Sequence, residues 1–172
     1  MDEVVKNAQY TMDVCGEKDV PLFRGEDLPH QGVQSESFWG KDGFGQARSD
    51  HEANNEMIKL SNLREESAVD FLIRITKEHK DVAIVCMAPL ANLAAACRKD
   101  PSFPSRVSNL VVLGGTYLAQ GNTDFFCSEY NFFKDPDSAQ VVFDKFPSIT
   151  LVPLEATFFQ RMLPVEVNLK PY

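Results

Sequence analysis

Asn122, Glu129 and Asn131 stand in one loop that begins at Gly114-Gly115 and runs to the Asp135-Pro136 pair. Two amides and a carboxylate suit a polyhydroxylated ligand such as a sugar. Amides donate and accept, whereas a carboxylate accepts from hydroxyls. The loop follows an apolar run, Leu110 to Leu113, that reads as a strand. Ligands of open α/β sheets bind beyond the carboxyl ends of the strands. Such side chains also have a local use, since Asn and Asp often cap neighbouring backbone. At this point both roles stand.

Two other segments carry chemistry. Ser37 to Gly45 holds the single tryptophan, Trp39, with Phe38 and Phe44 in a glycine-rich stretch. Aromatics beside flexible backbone can stack on a planar ligand such as a nucleobase, or the loop can fold back and bury them. Met87 to Ala94 sits where an apolar strand passes into a helix. A backbone carbonyl at such a strand end can ligate a hard cation such as Ca²⁺. A helix start explains Pro89 and Asn92 equally well.

Several classes are excluded. His30, His51 and His79 form no H-x-x-x-H or H-E-x-x-H pattern. His79 belongs at a helix C-terminus, where a cation meets the dipole favourably. No G-x-S-x-G elbow or P-loop is present, and Gly43-Phe44-Gly45 lacks the third glycine of a dinucleotide fingerprint. Cys15, Cys86, Cys97 and Cys127 form no C-x-x-C pair, and a reducing compartment is the default. The net charge of −8, with no basic stripe, argues against nucleic acid and anionic membrane as partners. No apolar run reaches the roughly 18 residues that read as a membrane span. The N-terminus is polar rather than leader-like. A soluble, cytoplasmic protein is expected.

The elements that must position these residues alternate along the chain. Val4, Val5, Ala8 and Met12 recur at helical spacing, with Gly16 as a C-cap. Val20 to Phe23 reads as a short strand, and residues 26 to 56 as a long glycine-rich loop. Ser67 to Lys80 is a predicted helix. Asp81 to Met87 reads as a parallel strand buried on both faces. A helix over Pro89 to Cys97, a strand over Val107 to Leu113, a helix over Asp135 to Phe143 and a strand over Ile149 to Leu154 follow. Thr157 to Met162 begins one more element. The pattern predicts an α/β fold with a mostly parallel open sheet flanked by helices.

The motifs share an order as well as a chemistry. G-K-D-G-x-G (Gly40 to Gly45), P-L-x-N-L-A (Pro89 to Ala94), Gly114-Gly115, Gly121-Asn122, E-x-N (Glu129 to Asn131), D-P-x-x-A (Asp135 to Ala139) and Val152 to Thr157 together resemble the inosine–uridine-preferring nucleoside hydrolases. The resemblance covers nearly the whole chain and implies their Rossmann-like fold. It implies cleavage of the N-glycosidic bond of purine or pyrimidine ribonucleosides, giving base and ribose, with a Ca²⁺ that holds a nucleophilic water. By the same resemblance Asn122 and Glu129 hold the ribose 5-hydroxyl and Asn131 its 2-hydroxyl. Ala91 offers a backbone carbonyl to the metal, Trp39 and Asp42 mark a candidate base-side loop, and a homo-oligomer is expected.

The departures set a second expectation. The family's D-x-D-x-x-x-D-D cluster, with most calcium ligands and the general base, precedes the part this chain matches. Its histidine–aspartate pair lies beyond Tyr172. Residues 1–172 are therefore expected to form a single partial domain lacking the first strand and the C-terminal part. Such a chain has no catalytic residue of its own and is inactive or nearly so. Trp39 replaces a histidine and Ala91 a threonine. Single-residue insertions flank Asn122, and misplacement of about 1 Å can be costly to catalysis. The alternative is a non-catalytic protein of the same fold that binds a ligand or partner.

Overall fold

The computed structural model describes residues 2–27, 40, 42–46, 48, 58–123 and 127–158. Two compact units divide the chain, Met1–Ile75 and Thr76–Tyr172.

The first unit opens with helix α1, Asp2–Cys15. Gly16 ends it with φ +76. The Gly16 amide donates to the Asp13 carbonyl and the Glu17 amide to the Met12 carbonyl. That pair of bonds is a Schellman cap, and its positive φ suits glycine. Gln9 on α1 is fully buried beside Asn62, which is 3% exposed. The two amides bond reciprocally: Gln9 Nε2 donates to Asn62 Oδ1 at 2.9 Å, and the Asn62 amide to Gln9 Oε1 at 3.0 Å. Asn62 Nδ2 also donates to the Val20 carbonyl at 2.7 Å. These bonds satisfy buried polar groups and deliver the chain into β1, Leu22–Arg24.

Strand β1 pairs in parallel with β2, Leu63–Ser67, a strand that the sequence did not suggest. Arg64, Glu65 and Glu66 make β2 read as polar linker. Pairing to β1 overrides that weak propensity. The Ser67 hydroxyl accepts from the Asp70 amide at 3.0 Å and starts helix α2, Ala68–Glu78. Phe71 of α2 stacks on Phe23 of β1 with centroids 3.9 Å apart.

The second unit holds a three-stranded parallel sheet of β3 (Ala83–Cys86), β4 (Asn109–Leu113) and β5 (Thr150–Val152), with β4 in the middle. The register pairs Cys86 with Val112 and Leu113 with Val152. Helices α3 (Ala91–Lys99) and α5 (Pro136–Lys145) pack on each other. Ala94, Ala96, Leu110, Val112 and Val142 are at most 2% exposed. Alanines on α3 suit a close approach between helices. Phe103, in the 3-10 turn Phe103–Arg106, meets Phe146 edge-on at 5.9 Å.

Three expectations need correction. Burial alternates along β3, with Ala83 and Val85 exposed, so it is covered on one face and not both. It is an edge strand of its three, and its apolar run alone did not reveal that. A short helix α4, Tyr130–Lys134, lies inside the stretch read as loop. Strand β5 stops at Val152 rather than Leu154, because α6, Leu154–Phe158, begins directly after Pro153. The α/β class with parallel strands and flanking helices is as the pattern predicts. Among the described residues no helix is long and apolar enough to cross a membrane.

Candidate functional site

The start of the loop after β4 is tied to the β5 segment by backbone bonds and fastened by two carboxylates. The Gly114 amide donates to the Val152 carbonyl at 3.1 Å, and the Leu154 amide to the Gly115 carbonyl at 2.9 Å. These bonds carry the sheet's order one step beyond the strands. Further on, residues 121 and 128 approach closely. A Cβ on Gly121 would stand 2.1 Å from the Ser128 carbonyl oxygen, so only glycine fits. The approach lets the Asn122 amide donate to that carbonyl at 3.1 Å.

Glu129 is 6% exposed and caps α4. Its Oε1 accepts from the Asn131 amide at 2.8 Å. Its Oε2 accepts from the Phe132 amide at 3.1 Å and the Gly115 amide at 3.0 Å. Asn122 Oδ1 accepts from the Tyr130 amide at 2.8 Å. Asn131 Nδ2 donates to the Leu113 carbonyl at 3.0 Å. The three polar residues singled out in the sequence thus converge at the carboxyl end of β4. Each has a backbone bond that orients it. Each also keeps spare capacity among the described residues: a lone pair on Glu129, the Asn131 carbonyl oxygen and the Asn122 amino group. The capping role is thus realised, and it leaves each of the three residues a donor or acceptor to spare among the described residues.

Of the three, Glu129 lines a cavity of about 650 Å³, together with Gly115, Thr116, Phe132, Phe143 and Pro153 among others. That volume is within the usual range for small-molecule sites. Phe132 and Phe143 meet edge-on at 5.6 Å. Sequence reasoning did not single out these rings. Their spacing across two short helices is invisible until α4 and α5 are set.

Glu155, on α6, is the other residue that the sequence reading passed over. It is 2% exposed, and its Oε1 accepts from the Leu118 amide at 2.8 Å, the Tyr117 amide at 3.0 Å and the Thr116 hydroxyl. Burial acts to raise its pKa. The Thr116 hydroxyl and the Leu118 and Tyr117 amides outweigh burial and hold the carboxyl below its ordinary value. The signal was its place in the Val152–Thr157 motif, which says nothing of partners 37 to 39 residues away.

The remaining candidates lie apart from this loop in sequence. Asp42 is 4% exposed in the first unit, and its Oδ1 accepts from the Phe44 and Gln46 amides, both at 2.9 Å. Trp39 lies outside the described residues. Ala91 opens α3 at the carboxyl end of β3, the same end of the sheet as the 114–131 loop. Calcium takes six to eight oxygen ligands. Among the described residues no group of three or more His, Cys, Asp or Glu could hold a metal, and one carbonyl at Ala91 does not make such a site. Burial pushes the thiols of Cys86 and Cys97 up to about 11, which leaves them unreactive.

Comparison with known proteins gives one answer. The family profile described as inosine-uridine preferring nucleoside hydrolase matches residues 1–170. Uridine nucleosidase 1 of Arabidopsis thaliana is 31% identical over 159 residues, covering 90% of this chain and 45% of that protein. The inosine-uridine preferring nucleoside hydrolase of Crithidia fasciculata is 29% identical over 178 residues, covering 96% and 54%. A solved purine-preferring ribonucleoside hydrolase from Gardnerella vaginalis superposes with a TM-score of 0.75 at 27% identity, over 90% of this chain and 49% of that one. A solved plant nucleoside hydrolase gives 0.73 at 27% identity, over 90% and 48%. The chain spans about half the length of these relatives.

Proposed function

The chain belongs to the inosine-uridine preferring nucleoside hydrolase family, and on that basis we propose that it holds the ribose of a ribonucleoside through Asn122, Glu129 and Asn131. The reaction proposed for the whole protein is hydrolysis of the N-glycosidic bond to free base and ribose. The observation that carries the reading is the convergence of two amides and a carboxylate at the carboxyl end of β4, each anchored by backbone and each with a spare donor or acceptor. Hydroxyl-directed bonds there fix the sugar, and the Glu129 charge favours positive charge developing on its ring. The adjoining cavity, with Phe132 and Phe143, suits the apolar part of such a ligand. A cytoplasmic location, which four free cysteines suit, and a homo-oligomer such as small enzymes often form belong to the same proposal.

No step is assigned to calcium, since the described residues do not build a site for it. The same observation supports a second reading, a non-catalytic protein of this fold that binds a ribonucleoside or a partner. The test has two arms. Titrating the 172-residue chain with ribose and inosine is expected to give saturable binding, weakened about tenfold in Asn122→Ala by the loss of roughly one hydrogen bond. Assaying free-base release from inosine and uridine, with and without Ca²⁺, is expected to show little or none. Failure of ribose to bind sinks the sugar-site reading. Rapid release by this chain sinks the expectation that its catalytic groups are elsewhere.

A further inference from the structure

Resting on that reading, we propose that Glu155 is a positioning residue for the sugar-holding cluster, acting through the segment Gly115 to Leu118 rather than on the ligand. The segment is clamped between two buried carboxylates. Glu129 takes the Gly115 amide, and Glu155 takes three donors that follow, the Thr116 hydroxyl and the Tyr117 and Leu118 amides. The Thr116 hydroxyl also lies 3.1 Å from the Gln120 carbonyl. With one proton to give, it bonds best to the charged acceptor.

The clamp is anchored at its base. Glu155 follows β5 by three residues, and the Leu154 amide beside it donates to the Gly115 carbonyl. The backbone beside Glu155 is therefore tied to Gly115, and its carboxylate reaches the loop through Oε1. Gly115 and Thr116 line the cavity next to Glu129, so moving this segment moves the wall and withdraws a donor from Glu129. Tyr117 is 71% exposed and Leu118 is 55% exposed. Apolar burial therefore does little to hold that stretch, and the carboxylate holds it instead.

The experiment compares the 172-residue chain with Glu155→Gln and Thr116→Val. Amide hydrogen exchange is followed at Gly115, Tyr117, Leu118 and Asn131, with Ala94 and Ala96 of α3 as controls, and ribose affinity is measured in parallel. In Glu155→Gln, exchange at Tyr117 and Leu118 is expected to accelerate about tenfold or more, the worth of roughly one charge-assisted hydrogen bond. The Gly115 and Asn131 resonances are expected to shift, the α3 amides to stay protected, and ribose to bind several-fold more weakly. Thr116→Val removes one donor and leaves the carboxylate its two amide bonds, so it gives the same pattern at smaller amplitude, which decides the matter if Glu155→Gln does not fold. Unchanged Gly115 and Asn131 resonances, or unchanged ribose affinity with a loosened 117–118 segment, overturn the proposal. If ribose fails to bind the parent chain, the sugar-site reading falls, while the exchange and resonance results still judge the clamp.

Discussion

The segments that leave the carboxyl ends of β3 and β4 are neighbours in the sheet and opposites in construction. After β3 the chain passes through Met87 to Leu90 straight into α3, whose N-cap Leu90 offers no side-chain bond. It contributes backbone alone, with the Leu90 carbonyl taken by the Ala94 amide. After β4 the chain runs from Gly114 to Glu129 before α4 begins, and side chains organise its described residues. Glu129, Glu155, Asn122 and Asn131 each bond to backbone of this loop or its flanks. A direct strand–helix connection can present little beyond a carbonyl. A long connection can present several polar groups, but conformational entropy must then be opposed by internal bonds.

That contrast can be broken by mutation. The largest effect is expected from Glu129→Ala, which leaves three amides without their acceptor, Asn131 among them in a buried site. A loss of about 4 kcal/mol is expected in urea unfolding, since each orphaned buried donor costs roughly 1–3 kcal/mol and the helix cap is lost as well. A loss under about 1 kcal/mol would show that the loop does not depend on its cap. Gly121→Ala comes next. A Cβ 2.1 Å from the Ser128 carbonyl oxygen must push the two arms apart, at about 2 kcal/mol, and Asn122 should move with them. The Asn122 and Tyr130 amide resonances report that movement. The smallest effect belongs to the β3 side. Millimolar Ca²⁺ is expected to leave the thermal midpoint of the 172-residue chain unchanged, because a ligand stabilises only by RT ln(1 + [L]/Kd) and the described residues offer no acidic cluster. A rise of several degrees would show a site that the contrast denies.

How much of this was legible depends on the kind of residue. The apolar runs around Ile84 and Leu110 and the proline-led helix at Pro136 announced themselves, because hydrophobic patterning and proline act locally. Strand β2 did not, because Leu-Arg-Glu-Glu-Ser becomes a strand only beside β1. The exposed side of β3 was equally hidden, since a run of apolar residues does not say whether a second face is covered. Asn122, Glu129 and Asn131 were legible as a polar set whose order with other motifs matched a family. Glu155 was not, because its partners lie 37 to 39 residues away.

By itself the sequence determined the α/β class, the family and the three polar groups proposed to hold a sugar. Those depend on residue type and short-range order, which survive in one dimension. Only the tertiary structure decided that Glu129 caps a helix and takes the Gly115 amide, and that Asp42 turns on its own loop. The bonding of Glu155 to the segment Thr116 to Leu118 was also a tertiary decision. A carboxylate's partner is whichever donor the fold brings within about 3 Å, and sequence spacing carries no record of that approach.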